Sequence, residues 1–317
     1  MESIATREAY GNALAKLGTR DDIIVLDADL SQSTKTIEFQ KVNPSHFFNV
    51  GIAEQNLMGI AAGIATTGKI PFASTFAIFA AGRGFEVIRN SIAYPKLNVK
   101  IVATHSGLTV GEDGGSHEAI EDISIMRSIP NMTVIVPADG IETEKVIEAI
   151  VEYNGPVYVR LGRPKIPVLF ENDYKFEIGK HPILKTGDSV TIVACGIMVA
   201  KALKVAEKLT AEGINAEVIN ASTIKPFDDE TLLASVKKTG CVVTAEEHSI
   251  LGGLGGAVCE LLAREYPVPV VSIGVQDVFG ESGSPDALLE KYGLTEKCIY
   301  EGTMKALMKK QGRRGRD

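Results

Sequence analysis

Residues 47–75, FFNVGIAEQNLMGIAAGIATTGKIPFAST, decide the fold. FFNV and PFAST have the character of short strands, and the longer stretch between them carries a helical pattern from about Glu54 onward. Strand, helix, strand in that order is the parallel βαβ unit. Glu54 is the single charge in residues 47–68, so no basic residue inside the segment can pair with it. The rest of the helix (Leu57, Met58, Ile60, Ala61, Ala62, Ile64, Ala65) is small or apolar and reads as packed on most sides. A carboxylate buried there is costly unless something hydrogen-bonds it. Two partners stay open at this point: the N–H groups of its own first turn, aided by the helix dipole, or a group from outside the segment.

Outward from this unit the same alternation runs along the 317-residue chain. DIIVLDA, VKIVATH, TVIVPA and VYVRLG add strands to the first half, with helices between them, for example over residues 141–152. Residues 164–188, PKIPVLFENDYKFEIGKHPILKTGD, lose the alternation and gain prolines and charges, which predicts an interdomain connection. SVTIVAC, AEVINAS, CVVTAEE and VPVVSIGV then restart the pattern. The expectation is an α/β chain with two doubly wound sheets. The larger, mostly parallel N-terminal one occupies residues 1–165 and the smaller C-terminal one residues 189–308, with a linker over 166–188 and a disordered basic tail at 309–317.

Hydrophobic residues make up 45% and charged residues 23%, an ordinary globular composition. With no apolar run of membrane-spanning length and an amphipathic N-terminus, the sequence predicts a soluble, cytoplasmic protein with no membrane association. The four cysteines (Cys195, Cys241, Cys259, Cys298) have no CxxC or zinc-like spacing and read as buried thiols. Residues 309–317 hold five basic residues and one acidic, so the formal net charge of −7 leaves the rest of the chain at −11. An acidic body argues against nucleic-acid binding.

Ligands of open parallel sheets bind outside the carboxyl ends of the strands. In the first half those positions are polar: Asp29 and Ser33 in DADLSQS, then Glu54, then His105, Asp113 and His117 in HSGLTVGEDGGSH, and Arg160 and Arg163 after VYV. The glycines of GLTVGEDGGSH allow tight turns close to a ligand. His105, Glu112, Asp113 and His117 could be imagined around a metal, but a spacing of twelve between histidines is no recognised ligand pattern, so no metal site is assigned. LGGLGG (251–256) looks like a phosphate-cradling turn without matching GxGxxG, and close helix–sheet packing explains its glycines equally well. Phe76, Phe79 and Phe85 could line a ring pocket or belong to the core.

Together, GIAEQN (51–56), HSGLTVGEDGGSHEAIEDISIMRSIPN (105–131) and VIVPADG (134–140) resemble the transketolase family of thiamine-diphosphate enzymes. EEHSILGGLGGAV (246–258) and FGESGSPDALLEKYGL (279–294) extend the resemblance over nearly the whole chain. It implies that Glu54 hydrogen-bonds N1′ of the cofactor's aminopyrimidine, favouring the imino tautomer whose 4′-nitrogen removes the thiazolium C2 proton. An apolar surround would help Glu54 share that proton. It further implies that Phe76, Phe79 and Asp29 belong to the cofactor pocket, that Asp113 and His117 contact substrate hydroxyls, and that Arg7, Ser33, His105 and Arg163 hold the sugar phosphate. The family's further pocket aromatic falls at Gly82, and the segment around Arg83 is shifted by a residue; HSG replaces the HDS of many single-chain members.

Single-chain transketolases also carry an N-terminal domain that binds the diphosphate through Mg²⁺ with a GDG motif, and no contiguous GDG occurs in this sequence. The resemblance therefore implies the C-terminal subunit of a split transketolase of the pentose phosphate pathway. A separate N-terminal subunit would bind Mg²⁺, and a heterotetramer with self-dimerising copies of this chain would act on sugar phosphates. Alternative readings are the β subunit of a 2-oxoacid dehydrogenase E1 component, a deoxyxylulose-phosphate-synthase-like enzyme, and a non-catalytic subunit.

Overall fold

The computed structural model describes residues 2–314. In chain order the first-half strands are β1 (Ser3–Ala5), β2 (Ile23–Asp27), β3 (Phe47–Asn49), β4 (Ile70–Phe76), β5 (Lys100–Thr104), β6 (Thr133–Ile135), β7 (Val157–Arg160) and β8 (Lys165–Pro167). β9 (Ile183–Lys185), β10 (Val190–Ala194), β11 (Ala216–Asn220), β12 (Thr223–Lys225), β13 (Val242–Ser249) and β14 (Val270–Val275) follow. The larger sheet has the order β12-β6-β7-β5-β4-β2-β3 and the smaller β14-β13-β10-β11-β9. Both are parallel except for one antiparallel edge strand each, β12 on β6 and β9 on β11. β2, β4, β5 and β10 are buried along their whole length, which is why they read as continuous runs rather than as alternating ones.

All ten strands expected from the sequence are present, and the helix expected over 141–152 is Gly140–Glu152. The four additional strands are three residues each. β1 and β8 pair with each other, whereas β9 and β12 close the edges of the two sheets. Residues 164–188 thus contain β8 and β9 inside an otherwise irregular path. β12 crosses over: it belongs to the second half of the sequence but hydrogen-bonds to the first-half sheet, with Thr223 opposite Ile135. The central apolar core is continuous across both halves, packing Leu26, Leu57, Ile123 and Val136 with Val193, Ile219, Leu254 and Val258.

Three expectations are corrected. The tail does not begin as a disordered segment, because the helix Glu296–Arg314 runs through residues 309–314; the remaining tail residues, 315–317, lie outside the described residues. Cys195 and Cys241 are buried, but Cys259 is exposed and Cys298 half-buried, since Cys259 falls on the outward stripe of the helix Leu254–Glu265. The helix Glu54–Ala65 buries only Glu54, Leu57, Met58, Ala61 and Ala62; Gln55, Asn56, Gly59 and Gly63 face outward. Among the described residues, no helix is long and apolar enough to cross a membrane.

Candidate active site

The order of the larger sheet reverses between β2 and β4, so a ligand crevice is expected outside the carboxyl ends of these strands. The end of β2 is polar and that of β4 aromatic, Phe76. Asp27 closes β2 and is fully buried; it accepts hydrogen bonds from the Leu30 amide at 2.6 Å and from the Thr34 and Thr36 hydroxyls at 2.7 and 2.9 Å. This binds DADLSQS into a compact turn in which Asp29 takes φ 63° and the Ser33 carbonyl accepts from Arg7 Nη1 at 3.0 Å. β5 is followed directly by His105, at φ 55°. Left-handed backbone at a non-glycine residue is uncommon and gathers at functional sites.

The rings come together in one cluster. His105 stacks on Phe76 with centroids 3.9 Å apart, and Phe76 stacks on Phe79 at 5.9 Å. His117, arriving from the glycine-rich loop, meets Phe79 edge-on at 5.4 Å. The Arg83 guanidinium lies over the Phe79 ring, 5.0 Å from its centroid, and donates to Glu54 Oε2 at 3.4 Å. Glu54 is 4% exposed, and its carboxylate does not cap its own first turn. Oε1 has no protein partner among the described residues, and the one bond to Oε2 is long.

A second group, of cations, adjoins the rings. Arg7 donates through Nε to the Arg163 carbonyl at 3.2 Å, and Arg163 Nη1 bonds the Val110 carbonyl and, at 3.2 Å, Glu112 Oε2. Burial, with the Arg7 and Arg163 charges adding, pushes the His105 pKa down to about 3, so the ring is neutral near pH 7. Arg7 itself is held below its ordinary pKa, chiefly by burial, with Glu8 opposing and Arg163 contributing. Two guanidiniums beside a neutral imidazole, with N–H groups to spare, make a place for an anion.

Of the residues singled out in the sequence, Glu54, Phe76, Phe79, His105, His117, Arg7, Ser33 and Arg163 form this connected set. Asp29 and Asp113 stand apart from it. Both are exposed; Asp29 accepts from Asn49 at 2.7 Å, and Asp113 makes no side-chain hydrogen bond among the described residues. Arg160 is structural: 4% exposed, it donates to Asp122 at 2.8 Å and to the Ala119 and Glu247 carbonyls at 2.9 Å. Phe85 is half-buried and packs against the core. At LGGLGG, both carboxyl oxygens of buried Glu246 accept the helix N-terminal amides of Leu254 and Gly255 at 2.7 Å, so an internal carboxyl group already fills the phosphate-like position. Among the described residues no three His, Cys, Asp or Glu side chains gather as a metal would need.

The sequence reading missed Arg83 as the partner of Glu54. Twenty-nine positions separate the two, and the helix Ala77–Gly82, which follows β4 directly, carries Arg83 to Glu54. At Gly82, where the family's aromatic was expected, an added Cβ would meet nothing within 4 Å.

Comparison with known proteins follows the same division of the chain. The family described as transketolase, pyrimidine binding domain, matches residues 2–168, and transketolase, C-terminal domain, matches residues 179–299. A protein of Methanocaldococcus jannaschii described as a putative transketolase C-terminal section is 52% identical over 96% of this chain and 96% of its own length. A 6-deoxy-6-sulfo-D-fructose transketolase subunit of Clostridium sp. is 45% identical, with 97% of this chain and 96% of that protein covered. A solved structure described as a split-gene transketolase, inactive β4 tetramer, is 60% identical, superposes with a TM-score of 0.91, and covers 97% of this chain and 99% of its own.

Proposed function

The chain belongs to the transketolase family, and from that premise we propose that it is the C-terminal subunit of a split transketolase. It would be active only with a separate N-terminal subunit that binds Mg²⁺ and the diphosphate. The observation that carries the reading is Glu54: a buried carboxylate, under-partnered, at the rim of a stacked phenylalanine pair. The residues present fit an aminopyrimidine. Glu54 Oε1 has room for a hydrogen-bond partner, Phe76 and Phe79 offer flat apolar surface, and the space at Gly82 is open.

When bound, thiamine diphosphate supplies the electron sink by which a two-carbon ketol unit leaves a ketose phosphate and joins an aldose phosphate. The chain's own residues bind and orient. Glu54 holds a proton at pyrimidine N1′, while Phe76 and Phe79 pack the ring and exclude water. Arg7, Ser33, His105 and Arg163 receive the substrate's phosphate. His117 and Asp113 position hydroxyls next to the reacting carbons. The family match and the split-chain relatives support this reading, and the description of the 60%-identical structure as inactive supports the need for a partner. The relative named for a sulfo-sugar favours a second donor class, because a guanidinium pair also bonds the three oxygens of a singly charged sulfonate.

The test is two-carbon transfer from xylulose 5-phosphate to ribose 5-phosphate with Mg²⁺ and thiamine diphosphate, comparing this chain alone with this chain plus its N-terminal subunit. Activity only in the mixture is the expected result. An assembled mixture inactive with phosphorylated and sulfonated ketoses alike overturns the reading, and carbon dioxide release from pyruvate would then point to a 2-oxoacid decarboxylating enzyme.

A further inference from the structure

The glycine-rich loop that carries Asp113 and His117 does not stand free. Its glycines rest closely on residues 279–285 of the C-terminal half, and at Gly115 a side chain is excluded. A Cβ on Gly115 would lie 2.7 Å from the Gly280 carbonyl oxygen, one on Gly114 would lie 3.2 Å from the Ser282 amide, and Ser282 Oγ donates to the Glu112 carbonyl at 2.6 Å. Glu118 ends the loop and points into this joint. It is 3% exposed, and neither carboxyl oxygen has a hydrogen-bond partner. A Cβ on Gly280 would come within 1.7 Å of Glu118 Oε2. The arrangement is reciprocal. Glu247 of the C-terminal half sits on Gly107, whose Cβ would lie 2.3 Å from its carboxyl carbon, but it receives the Thr109 amide at 2.7 Å. Glu118 receives nothing.

We propose that residues 279–283 are the seat of the substrate loop 111–117, and that Glu118 in its neutral form is the latch that keeps the loop seated. Glu118 and Gly280 are then positioning residues acting through His117 and Asp113, a role that rests on the proposed function of those two. The groups facing Glu118 give no cation to neutralise it. They are Glu247 from β13, Glu281 from the seat, whose carboxylate is taken by Lys291, and Tyr292 beyond it. His117 and Asp113 flank it on its own loop, the first half-buried and the second in water. An ionised Glu118 would be a buried charge without donors beside two other carboxylates, and only lifting the loop into water relieves it.

Burial, with Glu247 and Glu281 adding, raises the Glu118 pKa from an ordinary 4.5 to about 7. The seated loop therefore holds a proton that the lifted loop releases. Seating weakens as pH rises from about 4.5 toward 7, and levels off above.

The experiment is amide hydrogen exchange of the intact chain, without partner or substrate, from about pH 5 to about pH 8, with rates normalised to intrinsic exchange. The reporters are the Gly114 and His117 amides, which donate to the Gly111 and Gly114 carbonyls. Their protection should fall about tenfold per pH unit up to about pH 7 and then flatten. Glu118→Gln should abolish the slope, and Glu118→Met should do the same where the amide is poorly tolerated. Gly280→Ala should leave the loop unprotected at every pH with the far-UV spectrum unchanged. A flat wild-type profile, or a wild-type slope surviving in both Glu118 variants, would overturn the latch. Because no catalysis is measured, failure of the two-carbon transfer reading leaves this outcome independent.

Discussion

In the proposed function, Glu54 and Arg163 separate the two jobs of the site, proton handling and anion binding. On that reading, replacing Glu54 by Ala removes the group that would hold the pyrimidine proton, and turnover of the assembled enzyme should drop by about 10²–10⁴, the usual scale for a lost proton-transfer partner. Turnover within a few-fold of wild type would take Glu54 out of the mechanism. Arg163→Ala removes a charge-assisted contact worth about 1.5–3 kcal/mol, so KM for phosphorylated ketoses should rise by roughly ten- to a hundredfold. The control is an unphosphorylated ketose. Arg163 also bonds the Val110 carbonyl at the root of the substrate loop, and an equal loss with both substrates would mean that this tie, not the anion, is what Arg163 serves. Glu54 was legible in the sequence because a lone charge in an apolar run needs a partner. Arg83 and Glu118 were not, since one is ordinary among surface arginines and the other lies in a loop already rich in acids. Their distinction is tertiary: a guanidinium folded back over Phe79, and a carboxyl pressed against Gly280.

At the scale of elements, the helix Glu54–Ala65 divides its faces between the core and open surface. A side chain added at Gly59 or Gly63 meets nothing within 4 Å. The open stripe is bordered by Ile52, 77% exposed, and by Tyr94, 82% exposed, at the end of the helical segment packed beside it. This face suits the self-association expected of the subunit. Gly63→Leu should leave the isolated fold intact or slightly firmer, since glycine is about 1 kcal/mol worse than alanine inside a helix. Sedimentation velocity should nevertheless show the chain shifted to monomer. An unchanged oligomer with Leu at this position would place the interface elsewhere. The helix's periodicity was readable, but its open side was not, because an exposed stripe of small apolar residues has the same sequence pattern as one buried at home. Strands followed a similar divide: β2, β4, β5 and β10 declare themselves as continuous apolar runs, whereas β1, β8, β9 and β12 are three residues long and get their pairing from their neighbours.

For the whole molecule, the composition break at 164–188 suggests two separable domains, and the packing argues otherwise. The first-half sheet is closed at its edge by β12, which lies beyond the break. Lys225 at the end of β12 donates to the Arg127 and Ile129 carbonyls at 3.0 and 2.6 Å, and the buried Arg160 of β7 donates to the Glu247 carbonyl at 2.9 Å. Asn220 donates to both carboxylate oxygens of fully buried Glu142 at 2.9 and 3.1 Å, and one apolar core spans both halves. Cutting after residue 165 would leave Arg160 and Glu142 without these partners, bare β6 as an edge strand, and open the apolar surface beneath Val136 and Leu57. A fragment of residues 1–165 should therefore lack cooperative unfolding and near-UV dichroism, while the intact chain unfolds in one calorimetric transition. Two resolved transitions in the intact chain, together with a fragment that melts sharply at the temperature of one of them, would show the halves to be independent. One transition ties the substrate loop's seat, on the far side of the break, to the fold that presents Glu54. Lifting the loop is then a local opening within a single cooperative unit rather than a separation of domains.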